Sequence, residues 1–264
     1  MKNLGRFFYL HGRALYYALA VIVGLACGLL RAHDVLSIGG MILTVILTVC
    51  LPFFAINLIA IHFYSKPLVE ALDIERDPYP LLEESEYLLA KVKKGLPYLT
   101  NIINYSAGLV ETGQFEKALA VLQAIDFSKA PKRPPQTMFI YYNNLCAACN
   151  EIGYKDQASA YYSKALSSYA MIKSEAVKKQ LKNSITFNTV EEHLRNEEYP
   201  AADKVLSSFM PNPGKQTVDA EMLRAKVHIG LGEPEKAKEH LTFVIENGNK
   251  LNVVNQAKEI LASL

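Results

Sequence analysis

The chain has 264 residues, half of them hydrophobic, and a net charge of +2. That length allows one medium domain plus an appended segment. The charge is unevenly shared: Lys2, Arg6, Arg13, Arg31 and Lys66 face only Asp34 in residues 1–66, a local +4, which leaves −2 for the remainder. The remainder has no concentrated basic face, which excludes nucleic-acid binding driven by phosphate neutralisation.

From Ala14 to Leu30 there is no charged residue, and from Val35 to Tyr64 there is none either. As helices these runs would span about 26 Å and about 45 Å, against a hydrocarbon core of about 30 Å. Residues 1–66 therefore read as a transmembrane helical hairpin with spans at about 14–30 and 36–61. The second run exceeds the core and must tilt or bend. Pro52 is the expected kink, because it removes a backbone donor and clashes with the preceding turn. Rival readings are a cleaved signal peptide and a lipoprotein signal ending at Cys27. Against them, a second apolar span follows after only Arg31–Asp34. Basic residues stay on the cytoplasmic side. Lys2, Arg6 and Arg13 before the first span, and Lys66 after the second, place both the N-terminus and the C-terminal domain in the cytoplasm of a multi-pass cell-membrane protein.

Ala20, Gly24 and Gly28 recur every four residues on the first span, and Gly40, Thr44 and Thr48 on the second. Small residues at that spacing let helix backbones approach closely in lipid. The expected contact is within the hairpin, and the rival is a homodimer through one of these faces. Asn57 is expected to bond a neighbouring helix or a headgroup, and His62 to sit at the membrane interface.

Residues 67–97 read as a linker and an amphipathic helix. Pro67, Pro78 and Pro80 bracket a stretch expected to be discontinuous, and Leu81–Lys94 alternates with helical period until Gly95 and Pro97 stop it.

Residues 98–264 carry a repeated pattern: a helix, a turn, an Ala a few residues later and a large apolar residue four beyond it. Gly113, Phe115, Ala118 and Leu122 form the first copy. Gly153, Ala158, Tyr162 and Ala165 form the second, with Tyr142 and Leu145 ahead of the turn. Glu197, Tyr199, Ala202 and Leu206 form the third, and Gly232, Pro234, Ala237 and Leu241 the fourth. Gly permits a tight reversal, and Ala lets the second helix press on the first. One such pair cannot bury its own apolar face, so pairs stack.

This pattern resembles the tetratricopeptide-repeat family over about residues 98–247. The third copy departs from it with Glu197 at the turn, and the fourth with Pro234 in the aromatic position. The signature Ala residues lie 40, 44 and 35 apart, against a family period of about 34. Ala130–Pro135 and the segment around Lys173–Asn183 supply the two insertions. The fold expected is all-α: two transmembrane helices, then an α-solenoid of about four helix pairs and a C-terminal capping helix with Val253, Ala257, Ile260 and Leu261 inward. The resemblance implies a concave groove formed by Ile103, Ala107, Glu111, Asn143, Ala147, Asn150, Phe187, Glu191, Met222 and Lys226. Such a groove would bind a peptide or protein partner.

Catalytic chemistry was sought without success. Cys146 and Cys149 share a redox-like spacing, but they fall inside a helix where the fold wants small residues. His193 and His228 lie too far apart for one zinc ion, with no further ligand to complete a tetrahedral set. No phosphate-binding loop, nucleophile elbow or zinc-protease motif is present. The expectation is a scaffold without cofactor or metal, not an enzyme. The alternative is an accessory subunit of a membrane complex whose hairpin makes specific contacts.

Overall fold

A computed structural model describes residues 2–264. Among them the regular structure is helical, and there is no strand. The chain divides into two compact units, Met1–Glu70 and Ala71–Leu264.

The first unit holds α1 (Lys2–Ala32) and most of α2 (Ile38–Asp73), two helices long and apolar enough to cross a membrane. Ser37 starts α2 by accepting a hydrogen bond from the Gly40 backbone N–H at 3.1 Å. Within α2, π turns cover Ile46–Cys50 and Ile61–Ser65. Each ends two residues before a proline, Pro52 and Pro67. A proline lacks the N–H for an ordinary helical bond, and a wide turn just before it lets the helix continue. This corrects the break expected at Pro67: α2 runs through it to Asp73.

The two helices meet along Gly5, Gly12 and Tyr16. A Cβ at Gly5 would lie 3.0 Å from the Phe63 backbone and the Tyr64 Cβ, and one at Gly12 would lie 2.8 Å from Ile56 Cγ2. Tyr16 stacks on Phe53 at 4.7 Å and Tyr9 on Tyr64 at 4.8 Å between ring centroids. The expected small-residue contact is not there. Gly24 and Gly28 are exposed, and a Cβ on either would meet nothing within 4 Å. The reason is angular. At about 100° per residue, Gly12, Tyr16 and the buried Cys27 stay within about 40° of Gly5, whereas Gly24 and Gly28 have drifted by about 100° and 140°. Ala20 is half-buried at the border of the seam. On α2, Thr44 donates to Gly40 O (2.8 Å), Thr48 to Thr44 O (2.6 Å) and Asn57 to Phe53 O (2.7 Å), all within their own helix. Gly40 faces its own Leu36. Asn57 thus bonds its own backbone, not a neighbouring helix.

The second unit begins with α3 (Tyr79–Lys91) and α4 (Gly95–Glu111). Gly95, expected as a stop, opens α4 with φ +79°. Then come α5 (Phe115–Gln123), α6 (Pro135–Ile152), α7 (Lys155–Ala170), α8 (Glu175–Arg195), α9 (Tyr199–Ser207), α10 (Lys215–Gly230), α11 (Pro234–Asn247) and α12 (Val253–Ser263). The same reversal joins α4 to α5, α6 to α7, α8 to α9 and α10 to α11. In each, an N–H closes back five residues: Gln114 to Leu109, Tyr154 to Cys149, Glu198 to His193 and Glu233 to His228, at 2.8–2.9 Å. The residue before each donor is left-handed: Gly113 (φ 79°), Gly153 (87°), Glu197 (59°) and Gly232 (74°). Glu197 takes the glycine conformation at a steric cost of about 1 kcal/mol.

The signature residues Ala118, Ala158, Ala202 and Ala237 are all fully buried. They belong to, or border, three apolar cores. One joins α4–α7 and takes Leu82 and Leu89 from α3. The second joins α8–α10. The third joins α10–α12, with Leu72 packed on it.

Candidate partner groove

A cavity of about 380 Å³ opens inside the second unit. Its walls come from the last turn of α4, from α6, α8 and α10, from the start of α12, and from Leu72 and Asp73. Eight of the ten groove positions named from the sequence lie on it: Glu111, Asn143, Ala147, Asn150, Phe187, Glu191, Met222 and Lys226. Two do not. Ile103 is 3 % exposed and sits in the first core. There α6 covers it, with Asn144 donating to Ile103 O and to Ser106 Oγ at 3.1 Å each. Ala107, one turn further on, also falls short of the cavity. Only the end of α4, at Val110 and Glu111, reaches the wall.

The sequence reading missed half of the charge. Asp73, Glu111, Glu151, Glu191 and Asp219 face the cavity, against two ammonium groups, Lys215 and Lys226. Lys215 Nζ lies 3.0 Å from Glu111 and 2.6 Å from Asp219. Lys226 Nζ lies 3.7 Å from Glu151 and 3.6 Å from Glu191. Burial pulls the Lys215 ammonium down, but Asp219 and Glu111 outweigh this and raise its pKa, so it stays charged. Glu191, then Glu151, raise that of Lys226 against burial. Burial pushes the carboxyls of Glu111 and Asp73 above their ordinary range, although Lys215 works in the opposite direction on both. The Lys215–Asp219 pair was legible, because it sits four apart in the first turn of α10. Asp73, Asn252 and Gln256 carried no local signal, because long-range closure brings them to the wall.

A second hollow of about 290 Å³ adjoins the first and shares Asn150, Glu191 and Lys226 with it. Arg195, only 7 % exposed at its side chain, pairs there with Glu192 and donates to Asn150 Oδ1.

The other polar groups singled out from the sequence have structural surroundings. Cys146 and Cys149 are fully buried and free. Burial pushes the Cys146 thiol up to about 12 and raises Cys149 as well, which holds both as unreactive thiols. His193 Nδ1 meets Glu198 and His228 Nδ1 meets Glu233, each at 2.7 Å across its helix reversal. Among the described residues, no three His, Cys, Asp or Glu side chains converge as a metal-binding set. No family model, no curated protein and no solved structure matches this chain.

Proposed function

We propose that the protein is a membrane-anchored, tetratricopeptide-like scaffold whose groove holds a cationic segment of a protein or peptide partner. In this reading residues 1–66 anchor the chain, both termini face the cytoplasm, and α4–α11 form four stacked helix pairs capped by α12. One observation carries the partner's chemistry: five carboxylates against two ammonium groups on the wall of one cavity. A half-enclosed wall with surplus negative charge favours Lys or Arg side chains, because water screens it less than an open surface. The carboxamides of Asn143 and Asn150 supply donors and acceptors for an extended backbone.

Peptide binding to the full-length protein in detergent tests this reading. An oligolysine peptide is expected to bind and an oligoglutamate peptide not to. Glu191→Gln is expected to weaken oligolysine binding at least about tenfold, since a charge-assisted contact contributes about 1.5–3 kcal/mol. Equal binding of the two peptides would reject it.

A second reading makes the hairpin a specific contact of a larger membrane complex, or of a homodimer. It is favoured by Gly24 and Gly28, whose open face lies away from α2. Exchange of residues 1–66 for an unrelated apolar hairpin separates the two readings, because a pure tether survives the exchange.

A further inference from the structure

The apolar cores of the second unit stop at one dividing line. The first draws only on α3–α7. The other two draw only on α8–α12 and Leu72. Contacts across the line are polar on both sides of the cavity. On one side, Asn188 donates to Asn143 at 2.8 Å, the Tyr162 and Thr189 hydroxyls meet at 2.8 Å, and Ser159 donates to Glu192 at 3.1 Å. On the other, the Asn252 N–H donates to Glu111 O at 2.8 Å, Gln256 donates to Glu151, and Lys215 pairs with Glu111 at 3.0 Å. The chain itself crosses the line only at Pro78 and at Met171–Ser174, where no long helix stiffens it. Interfaces built this way resemble those between mobile domains, whereas a continuous apolar core resists reorientation.

We propose that α3–α7 and α8–α12 are the two lobes of a clamp, which opens at the seam between α4 and α6 on one lobe and α10 and α12 on the other. The charges define that seam. Glu111 and Glu151 on the first lobe face Glu191 and Asp219 on the second. The built-in cations between these like-charged walls are Lys215 and Lys226, both on α10. The closed form depends on them, and the lobes separate without exposing a core when they are screened or removed. Opening widens the mouth of the cavity while each lobe keeps its own packing.

Nitroxide labels on the full chain in detergent read this motion. They are placed at Lys129→Cys on one lobe and Lys238→Cys on the other, in a background of Cys27→Ala and Cys50→Ala. Pulsed electron resonance gives the distance distribution. At low salt one narrow distance is expected. In about 1 M salt, where charges are screened beyond about 3 Å, a longer second population is expected, with helicity unchanged by circular dichroism. The double variant Lys215→Gln, Lys226→Gln is expected to show that longer population already at low salt. If this variant does not fold, the salt series decides alone. A single unchanged distance in about 1 M salt overturns the clamp, whether or not any peptide binds the groove.

Discussion

The two units use polar side chains in opposite ways. In the hairpin, Thr44, Thr48 and Asn57 each bond a carbonyl four residues back in their own helix. In the second unit, Asn144, Asn188, Arg195 and Lys215 each bond a different helix. The difference follows from the surroundings. A helix with apolar residues on all sides has no partner for a lone hydroxyl or amide, so the group returns to its own backbone. A water-facing array can bring polar groups together from distant positions, and it uses them to fix which helices meet.

Removing a cross-helix charge should show this contrast most strongly. Lys215→Met leaves Glu111 and Asp219 half-buried without their cation, and is expected to cost about 3–5 kcal/mol at neutral pH in chemical denaturation. The sign with pH is defined. The carboxyl of Glu111 is already raised in the native state, so its ionised form costs stability above its native pKa, and the cost is relieved as pH falls through that value. The variant should therefore recover part of its loss on mild acidification. In the unsubstituted protein the raised Lys215 pKa contributes stability that is full below the ordinary lysine pKa and lost as pH rises through the native one. An equal loss from pH 5 to 8 would break this account.

Apolar truncation sharpens the same comparison. Leu241 is fully buried in the third core, and Leu241→Ala is expected to cost about 2–5 kcal/mol. Leu25 in α1 is 66 % exposed, and Leu25→Ala is expected to leave the thermal unfolding of the detergent-solubilised protein unchanged. A smaller pair separates the polar groups. Asn144→Ala strands the Ser106 hydroxyl and a buried carbonyl, and should cost about 1–3 kcal/mol. Thr44→Val, which removes only a bond within its own helix, should move the melting curve little. Smallest is the third reversal: Glu197→Gly is expected to stabilise by about 0.5–1 kcal/mol, because the left-handed conformation then carries no steric penalty.

Local features were legible in the sequence and closure was not. Three of the four reversals announced themselves through Gly113, Gly153 and Gly232, and the fourth through the buried Ala202 that follows it despite Glu197. Eight cavity positions could be named because stacked first helices present one face, and that face follows from a 3.6-residue period. Ile103 and Ala107 failed because α6 lies over that part of α4, which no period within α4 records. Asp73, Asn252 and Gln256 meet partners at Glu111, Gly113 and Glu151, or lie beside them, more than 35 positions away along the chain. In the hairpin, the four-residue spacing of Ala20, Gly24 and Gly28 suggested a common face, but 3.6 residues per turn carries such a row steadily away from any straight partner.

The two π turns of α2 also bear on how this helix tolerates insertions. A π turn holds one residue more than the α turn it replaces. Deleting one residue from Ile46–Cys50 would restore an ordinary helix, but it would also rotate everything downstream by about 100°. Ile56 and Tyr64 would then leave Gly12 and Gly5, and other side chains would meet α1 in their place. The length of this helix is thus held in register by its partner, residue for residue, although its surface is apolar nearly all round.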